Sequence, residues 1–137
     1  MSLIGNLGAS VNRKTILITD DSTALRAMLV SIIESLGDFR IVEAANGFDA
    51  LRLLPREHVD LIFTDINMPD INGLELISYL RNNPNYQDIP VIILSAEGSQ
   101  SDIEKGRLLG ANEYIVKPFD CSELKKIIVK YLDNCQQ

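Results

Sequence analysis

The segment Asp60-Leu-Ile-Phe-Thr-Asp-Ile-Asn-Met-Pro-Asp-Ile-Asn-Gly73 joins a short apolar run to a polar loop. Residues 60–64 predict a strand of a parallel sheet, because a strand whose two faces are both covered is apolar almost throughout and does not alternate. Residues 73–81 predict a helix. The stretch therefore predicts a strand, a loop and a helix, with the carboxylate of Asp65 at the point where the strand ends.

The same alternation of strand and helix continues along the rest of the chain. Short runs rich in Ile, Leu and Val predict strands, and apolar residues spaced three and four apart predict the helices between them. The predicted strands are residues 15–19, 40–44, 60–64, 90–94 and 113–116, and the predicted helices are residues 25–36, 48–54, 73–81, 101–109 and 124–132. This alternation predicts an α/β fold, a doubly wound parallel sheet of five strands with five helices.

Reactive side chains follow four of the five predicted strands. Asp20 and Asp21 follow the first strand, Asp65 the third, Ser95 the fourth and Lys117 the fifth, whereas nothing reactive follows the second. In open α/β sheets, ligands bind beyond the carboxyl ends of the strands, where the strand order reverses. The order 2-1-3-4-5 makes the four strands neighbours and leaves the second at an edge, so we predict that order.

Length and composition indicate one domain. Of the 137 residues, 46% are hydrophobic, and we expect a flexible N-terminal extension (1–13), a domain (14–133) and a C-terminal tail (134–137). The net charge of −6 argues against direct nucleic-acid binding. No apolar run exceeds four residues, so we expect no membrane insertion. Cys121 and Cys135 are too few for a disulfide framework or a zinc site, which favours a reducing, cytoplasmic setting.

Each reactive residue has an ordinary structural explanation when it is taken alone. Asp20 or Asp21 could cap the following helix, Ser95 could be a turn residue, and Lys117 could lie in solvent. Together, three carboxylates at one end of a sheet would repel one another, so a cation is needed there. A hard divalent ion held by few carboxylates and several waters describes Mg²⁺. With Lys117, that ion leaves a nearly neutral site that could accept a phosphoryl group on one of its carboxylates.

The chain resembles the receiver domains of two-component response regulators, of the single-domain CheY-like type, from about residue 15 to residue 132. The intervals of 44 residues from Asp21 to Asp65 and 52 residues from Asp65 to Lys117 belong to this resemblance. The motifs that carry it are Asp20-Asp21, Asp65-Ile-Asn-Met-Pro-Asp-Ile-Asn-Gly73, Ser95-Ala96, Gly110-Ala-Asn-Glu-Tyr114 and Lys117-Pro118-Phe119. The fold that the resemblance implies is the flavodoxin/CheY-like fold.

The resemblance implies that Asp65 is the phosphoacceptor, which takes a phosphoryl group from a phosphohistidine of a sensor histidine kinase or a phosphotransfer protein. It implies a Mg²⁺ cofactor, for which Mn²⁺ could substitute, held by the side chains of Asp21 and Asp65 and the backbone carbonyl of Asn67. Asp20 would act mainly through water. The protein would be a signalling switch and not a metabolic enzyme, with self-catalysed phosphotransfer and slow autodephosphorylation only.

The resemblance also assigns roles around the phosphoacceptor. Ser95, Ala96 and Lys117 would contact the phosphoryl group, and Ser95 and Tyr114 would form the switch. Phosphorylation would change the surface of the fourth helix, fifth strand and fifth helix, about residues 101–132, where a downstream protein target would bind. Three further residues have implied roles: Pro118 after a cis peptide bond, and Asn67 and Glu97 in tuning the lifetime of the acyl phosphate.

Two other interpretations stay open at this point. The chain could be a receiver excised from a multidomain regulator or a hybrid kinase, because residues after Leu132 fit a natural end or the start of a linker equally well. An Mg²⁺-dependent aspartyl phosphohydrolase is less favoured, since its Asp-x-Asp motif needs a second carboxylate as acid and base where this chain has Asn67. A flavin carrier is disfavoured as well, because two carboxylates after the first strand would repel a phosphate.

Overall fold

A computed structural model describes residues 13–96 and 99–132. Its strands are β1 (Lys14–Thr19), β2 (Phe39–Ala44), β3 (Leu61–Asp65), β4 (Val91–Ser95) and β5 (Glu113–Val116). Its helices are α1 (Thr23–Leu36), α2 (Gly47–Leu53), α3 (Gly73–Arg81), α4 (Gln100–Leu109) and α5 (Cys121–Leu132), with one 3-10 turn (Leu54–Arg56) after α2. All strand pairs are parallel, and the order β2-β1-β3-β4-β5 confirms the predicted fold class and strand order.

The sheet is covered on both faces, which explains its apolar central strands. On one face, α1 and α5 bury residues such as Leu29 and Ile128 against the sheet. On the other face, α2 and α3 bury residues such as Ala50 and Leu76. Helix α4 lies on this second face, where Gly106 brings its backbone close to the side chain of Ile93. The two apolar layers hold the strands rigidly, so groups at the strand ends have fixed positions.

Two predicted strands end one residue earlier than the observed strands. The apolar pattern ended them at Thr64 and Leu94, whereas β3 and β4 include Asp65 and Ser95. Asp65 pairs with Leu94, and Ser95 pairs with Val116 on β5. The hydrogen bonds of a sheet join backbone groups, so a polar residue at the edge can belong to a strand although the apolar pattern has stopped. Asp65 and Ser95 are therefore held by the sheet itself and not by a loop.

The predicted terminal segments lie almost wholly outside the described residues. Of the expected extension 1–13, the structure describes Arg13, whose guanidinium is 3.6 Å from the carboxylate of Asp38. The expected tail 134–137 is outside, so the limits of the domain stay predictions. Within residues 13–96 and 99–132, no helix is both long enough and apolar enough to cross a membrane.

Arg81 ties three segments together at the end of the sheet away from the strand carboxyl ends. Its guanidinium donates to the carbonyl of Gly110 (3.0 Å), the carbonyl of Gln87 (3.2 Å) and Oδ1 of Asn112 (2.9 Å). The same Asn112 oxygen accepts the N–H of Val91 at 2.9 Å. Gly110 ends α4 with a φ of 118°, in the left-handed region that glycine tolerates. These bonds fix the carboxyl end of α4 to α3 and to the sheet.

Two threonines that pair across β1 and β3 differ in whether their hydroxyl groups are hydrogen-bonded. Thr19 and Thr64 are register partners on β1 and β3, and both are fully buried. The Thr64 hydroxyl donates to the Asp65 carbonyl at 3.0 Å, whereas the Thr19 hydroxyl has no hydrogen-bond partner in the described part of the chain. A buried hydroxyl without a partner costs about 1–3 kcal/mol. Valine has nearly the same shape as threonine and removes that cost.

We therefore expect the two Thr→Val substitutions to change stability in opposite directions. Thr19→Val should raise the free energy of unfolding by about 1 kcal/mol, because it removes the unpartnered hydroxyl. Thr64→Val should lower it by about 1 kcal/mol, because it removes a formed hydrogen bond. Urea denaturation of both variants and the wild type measures the two changes. A loss of stability in Thr19→Val equal to that in Thr64→Val would contradict the assignment.

Candidate functional site

The carboxyl edge of the sheet brings the predicted polar residues together. Asp20 follows β1, Asp65 ends β3, Ser95 ends β4 and Lys117 follows β5. These four strands are neighbours, so their ends meet. Asp20, Asp65 and Ser95 are only 1%, 8% and 2% exposed, which is unusual for two acids and reflects their position between the helices on both faces.

Three carboxylates form an acidic cluster at this edge. One oxygen from each of Asp20, Asp21 and Asp65 lies within 4.8 Å of the other two. Asp20 Oδ1 accepts the N–H of Ser22 at 2.8 Å, whereas the buried Asp20 Oδ2 accepts no hydrogen bond from the described residues. Asp21 is exposed. A buried carboxylate oxygen that accepts no hydrogen bond, beside two further carboxylates, is a donor set that suits a hard divalent cation.

Lys117 supplies a positive charge beside this cluster. Its Nζ lies 3.5 Å from Asp20 Oδ2 and 3.8 Å from Asp65 Oδ1. Its backbone N–H donates to the Ser95 carbonyl at 2.8 Å, which fixes the end of β5 to the end of β4. The Lys117–Pro118 peptide bond is cis, the isomer expected from the sequence.

The environment of Asp65 shifts its protonation. Burial, and next the charge of Asp20, raise the pKa of Asp65 above its usual value. Lys117 and the backbone N–H groups of Ile66 and Asn67 act in the opposite direction, and the Ile66 N–H donates to Asp65 Oδ1 at 2.8 Å. The net effect is a raised pKa of Asp65. A cation close to this carboxylate would stabilise its ionised form.

A cleft of about 100 Å³ lies above Asp65. Its lining includes five residues that the sequence analysis singled out: Asp65, Asn67, Ser95, Ala96 and Lys117. It also includes Ser99 and Asp102, which the sequence analysis missed. A signal for Asp102 existed, since it falls in the first turn of the helix that follows the Ser95 segment. Asp20 and Asp21 do not line this cleft, although one carboxylate oxygen of each lies within 4.8 Å of an Asp65 carboxylate oxygen.

The residues expected to form the switch are near the site but not engaged with it. Ser95 Oγ donates to the Ile115 carbonyl at 3.5 Å, which is a long bond that costs little to break. The Tyr114 side chain is 39% exposed on β5, whose strand pairing places Tyr114 beside Ile93 of β4. Glu97, expected to tune the acyl phosphate lifetime, lies outside the described residues.

The loop after Asp65 ends at Gly73, close to the backbone of the residues at which it begins. The Gly73 N–H donates to the Ile66 carbonyl at 2.8 Å. A Cβ atom at position 73 would lie 2.2 Å from the Asp65 carbonyl oxygen and 2.8 Å from Ile66 Cα. Asn72 and Glu75 form a capping box that starts α3 at this glycine. Gly73 is therefore required by close approach to the backbone that carries Asp65.

The family model of the response regulator receiver domain matches residues 16–129. The CheY homologue of Campylobacter jejuni is 38% identical over 112 residues, which are 81% of this chain and 86% of that protein. The receiver domain of sensor histidine kinase PA1611 from Pseudomonas aeruginosa, solved with a magnesium ion in its active site cleft, has a TM-score of 0.80. It is 28% identical, and the match covers 89% of this chain and 99% of that one.

A second solved structure is a complex. The Saccharomyces cerevisiae co-crystal of the phosphotransfer protein Ypd1 with the receiver domain of Ssk1 matches with a TM-score of 0.77 and 26% identity. The match covers 87% of this chain and 88% of that chain. Taken with the sheet order and the acidic cluster, these matches establish that the chain belongs to the family of response regulator receiver domains. Within two-component signalling proteins it is of the CheY-like type.

Gly73→Ala should strongly destabilise the protein. The added methyl group would meet backbone atoms of Asp65 and Ile66 that the sheet holds in place, and we expect a loss of about 3 kcal/mol or more. Gly106→Ala is the matched control. Its Cβ would lie 2.3 Å from Ile93 Cδ1, which is the terminal methyl group of a side chain and not backbone, and alanine favours a helix by roughly 0.8–1 kcal/mol. Urea denaturation should show a much smaller change for Gly106→Ala, and equal losses would contradict this explanation.

Asp65→Asn should stabilise the protein at neutral pH when no divalent ion is added. Because the folded pKa of Asp65 is raised above the ordinary 3.8, ionising this carboxyl costs folding free energy. That cost is absent below the ordinary pKa and grows as the pH rises through the folded pKa. We therefore expect Asp65→Asn to raise the free energy of unfolding at about pH 7, and the gain to shrink as the pH falls.

Urea denaturation at a series of pH values measures this difference. Asp21→Asn is the matched control, because it removes a carboxylate of the same cluster from an exposed position. The desolvation argument fails if Asp65→Asn is less stable than the wild type at neutral pH.

Proposed function

We propose that this receiver accepts a phosphoryl group from a histidine kinase or a phosphotransfer protein on Asp65 and signals by a change of its α4-β5-α5 surface. The observation that carries the proposal is the placement of Asp65. It is a buried carboxylate with a raised pKa, it lines a cleft, and it lies close to Lys117 and to the carboxylates of Asp20 and Asp21. The solved complex of Ypd1 with the Ssk1 receiver supports a phosphohistidine donor of this class.

The acidic cluster fits Mg²⁺, and Mn²⁺ has the same preference for oxygen ligands. The side chains of Asp21 and Asp65 and the backbone carbonyl of Asn67 would hold the ion, and Asp20 would act mainly through water. The three carboxylate oxygens within 4.8 Å of one another, and an Asp20 Oδ2 that accepts no hydrogen bond from the described residues, support this set. When bound, the ion would supply positive charge that offsets the carboxylates and the phosphoryl oxygens.

In the transfer of the phosphoryl group, the protein mainly positions the reacting groups and stabilises the charge that develops on them. One carboxylate oxygen of Asp65 attacks phosphorus and forms a P–O bond while the P–N bond of the phosphohistidine breaks. The electron pair of that bond goes to the imidazole nitrogen. Lys117 Nζ, already 3.8 Å from Asp65 Oδ1, would neutralise charge on the transferred oxygens. The hydroxyl of Ser95 and the N–H of Ala96 would donate to the same oxygens.

The switch would follow from the weak anchoring of Ser95. Its hydroxyl has only the 3.5 Å bond to Ile115, so it can turn to a phosphoryl oxygen at little cost. Tyr114 would then move inward from its exposed position. Asn67 and Glu97 would tune the lifetime of the acyl phosphate. Asn67 stands where an aspartyl phosphohydrolase has its second carboxylate, so slow autodephosphorylation and not rapid turnover is expected.

The surface at about residues 101–132 is the proposed site for a downstream protein. The described part of the chain exposes seven large hydrophobic side chains, and four lie on this surface. They are Leu108, Leu109, Tyr114 and Val129. Exposed apolar groups gathered on one surface favour a protein partner.

The proposed receiver unit spans residues 14–133, and a cytoplasmic setting is proposed with it. The alternative that the chain is part of a longer regulator or hybrid kinase keeps the same chemistry. It is supported by the relative from Pseudomonas aeruginosa, which is a receiver domain of a sensor histidine kinase. The length of the natural reading frame distinguishes the two cases.

Intact-mass spectrometry after incubation with acetyl phosphate tests the proposal. We expect one added phosphoryl group in the presence of Mg²⁺, loss of that adduct with a chelator, and no adduct on Asp65→Asn. Asp88→Asn is the control, because Asp88 is an exposed acid that precedes β4 and lies near Arg81, at the end of the sheet away from the strand carboxyl ends. An adduct of equal yield on Asp65→Asn, or no adduct on the wild type, would overturn the assignment.

A further inference from the structure

One wall of the cleft has no part in the function proposed above. It is formed by Ser99, the residue before α4, and Asp102, in the first turn of that helix. Asp102 is half-buried. Its side chain makes no hydrogen bond and no ion pair with any residue in the described ranges 13–96 and 99–132, and the Ser99 side chain does not cap the helix.

The acids at the site fall into two groups by position. Asp20 and Asp21 join Asp65 in the cluster that suits a divalent ion, but they do not line the cleft. Asp102 lines the cleft and does not belong to that cluster. Among the described lining residues, Asp102 is therefore the one acid besides Asp65 that faces the space in which a phosphoryl group would lie.

A phosphoryl group on Asp65 would carry close to two negative charges, and because the carboxylate charge of Asp65 is lost when the P–O bond forms, this small space would gain about one. Lys117 is the one cation among the described lining residues, and it already faces Asp20 and Asp65. Asp102 would therefore meet added negative charge with no partner of its own in the described chain. Repulsion in a narrow cleft with protein walls is screened less than repulsion in water.

We propose that Asp102 is a positioning residue that opposes the phosphoryl group while α4 keeps its unphosphorylated position. Charge added at Asp65 is thereby transmitted to the first turn of α4. The inference rests on the proposed function, because it assigns the phosphoryl group to this cleft. The repulsion slows phosphorylation by an anionic donor and is relieved when the first turn moves away from the cleft. The carboxyl end of α4 stays fixed by the Arg81 bonds to Gly110 and Asn112.

The first measurement is the initial rate of phosphorylation by acetyl phosphate with Mg²⁺, followed by intact mass. Asp102→Asn should react about threefold faster than the wild type at low ionic strength, and this ratio should approach one as salt is added. Glu104→Gln is the matched control, since it removes the same charge from an exposed position on the same helix. Asp102→Glu should keep the wild-type rate, and Asp102→Ser is a second variant without the charge.

The second measurement is hydrogen exchange of the α4 amides with and without phosphodonor. Phosphorylation of the wild type and of Glu104→Gln should speed exchange in the first turn of α4. Asp102→Asn should show a clearly smaller increase at the same extent of phosphorylation. If Asp102→Asn acted only by altering the structure of α4, it would change hydrogen exchange before phosphodonor is added. Its effect on the phosphorylation rate would then not depend on salt.

The outcomes separate this inference from the proposed function. An adduct on wild-type Asp65, with Asp102→Asn matching Glu104→Gln in rate and in exchange, overturns the role of Asp102 and leaves the proposed function intact. A rate increase that does not change with salt also overturns it. No adduct on the wild type overturns the proposed function and this inference together.

Discussion

The burial of Asp65 beside Asp20, at the ends of neighbouring strands, is the constraint on which the rest of the site depends. Burial and the charge of Asp20 both raise the pKa of Asp65, and Lys117 with two backbone N–H groups lowers it only in part. The side chains and backbone groups of the chain therefore supply less positive charge around Asp65 than the carboxylates need. A receiver with this imbalance is prepared for a cation and for chemistry that consumes negative charge at the carboxylate, and the fold supplies the stability that offsets the imbalance.

That stability comes from the strands that carry the acids. Ile16, Ile18 and Phe63 are fully buried between the helical layers, so β1 and β3 cannot separate to relieve the repulsion. The acids at their ends are consequently held close by a core that excludes water. Groups held in this way need no reorganisation when charge develops, which is the form of electrostatic assistance that enzymes and switches share. In this chain the rigid part of the molecule carries Asp65, and α4 contributes Asp102 to the cleft beside it.

The fold and most of the site could be predicted because both depend on local patterns. Apolar runs identified the strands, and the polar residues after them identified the common edge. The pattern placed the ends of β3 and β4 one residue too early, since side-chain polarity does not report where backbone pairing stops. Asp102 was missed for a different reason. It lies on a helix, 37 positions after Asp65 in the sequence, and only the packing of α4 on the sheet brings it to the cleft.

Gly73 sets the length of the segment that follows Asp65. Its N–H reaches back to Ile66, and its missing side chain leaves room for the Asp65 carbonyl, so residues 66–72 form a loop whose ends touch. One residue more or fewer in that loop would rotate α3 by about 100° about its axis. The rotation would turn Leu76 and Leu80, both fully buried, toward water. The eight-residue interval from Asp65 to Gly73 therefore fixes the orientation of α3 on the sheet. Any transfer of this site to another sheet has to keep that interval at full length.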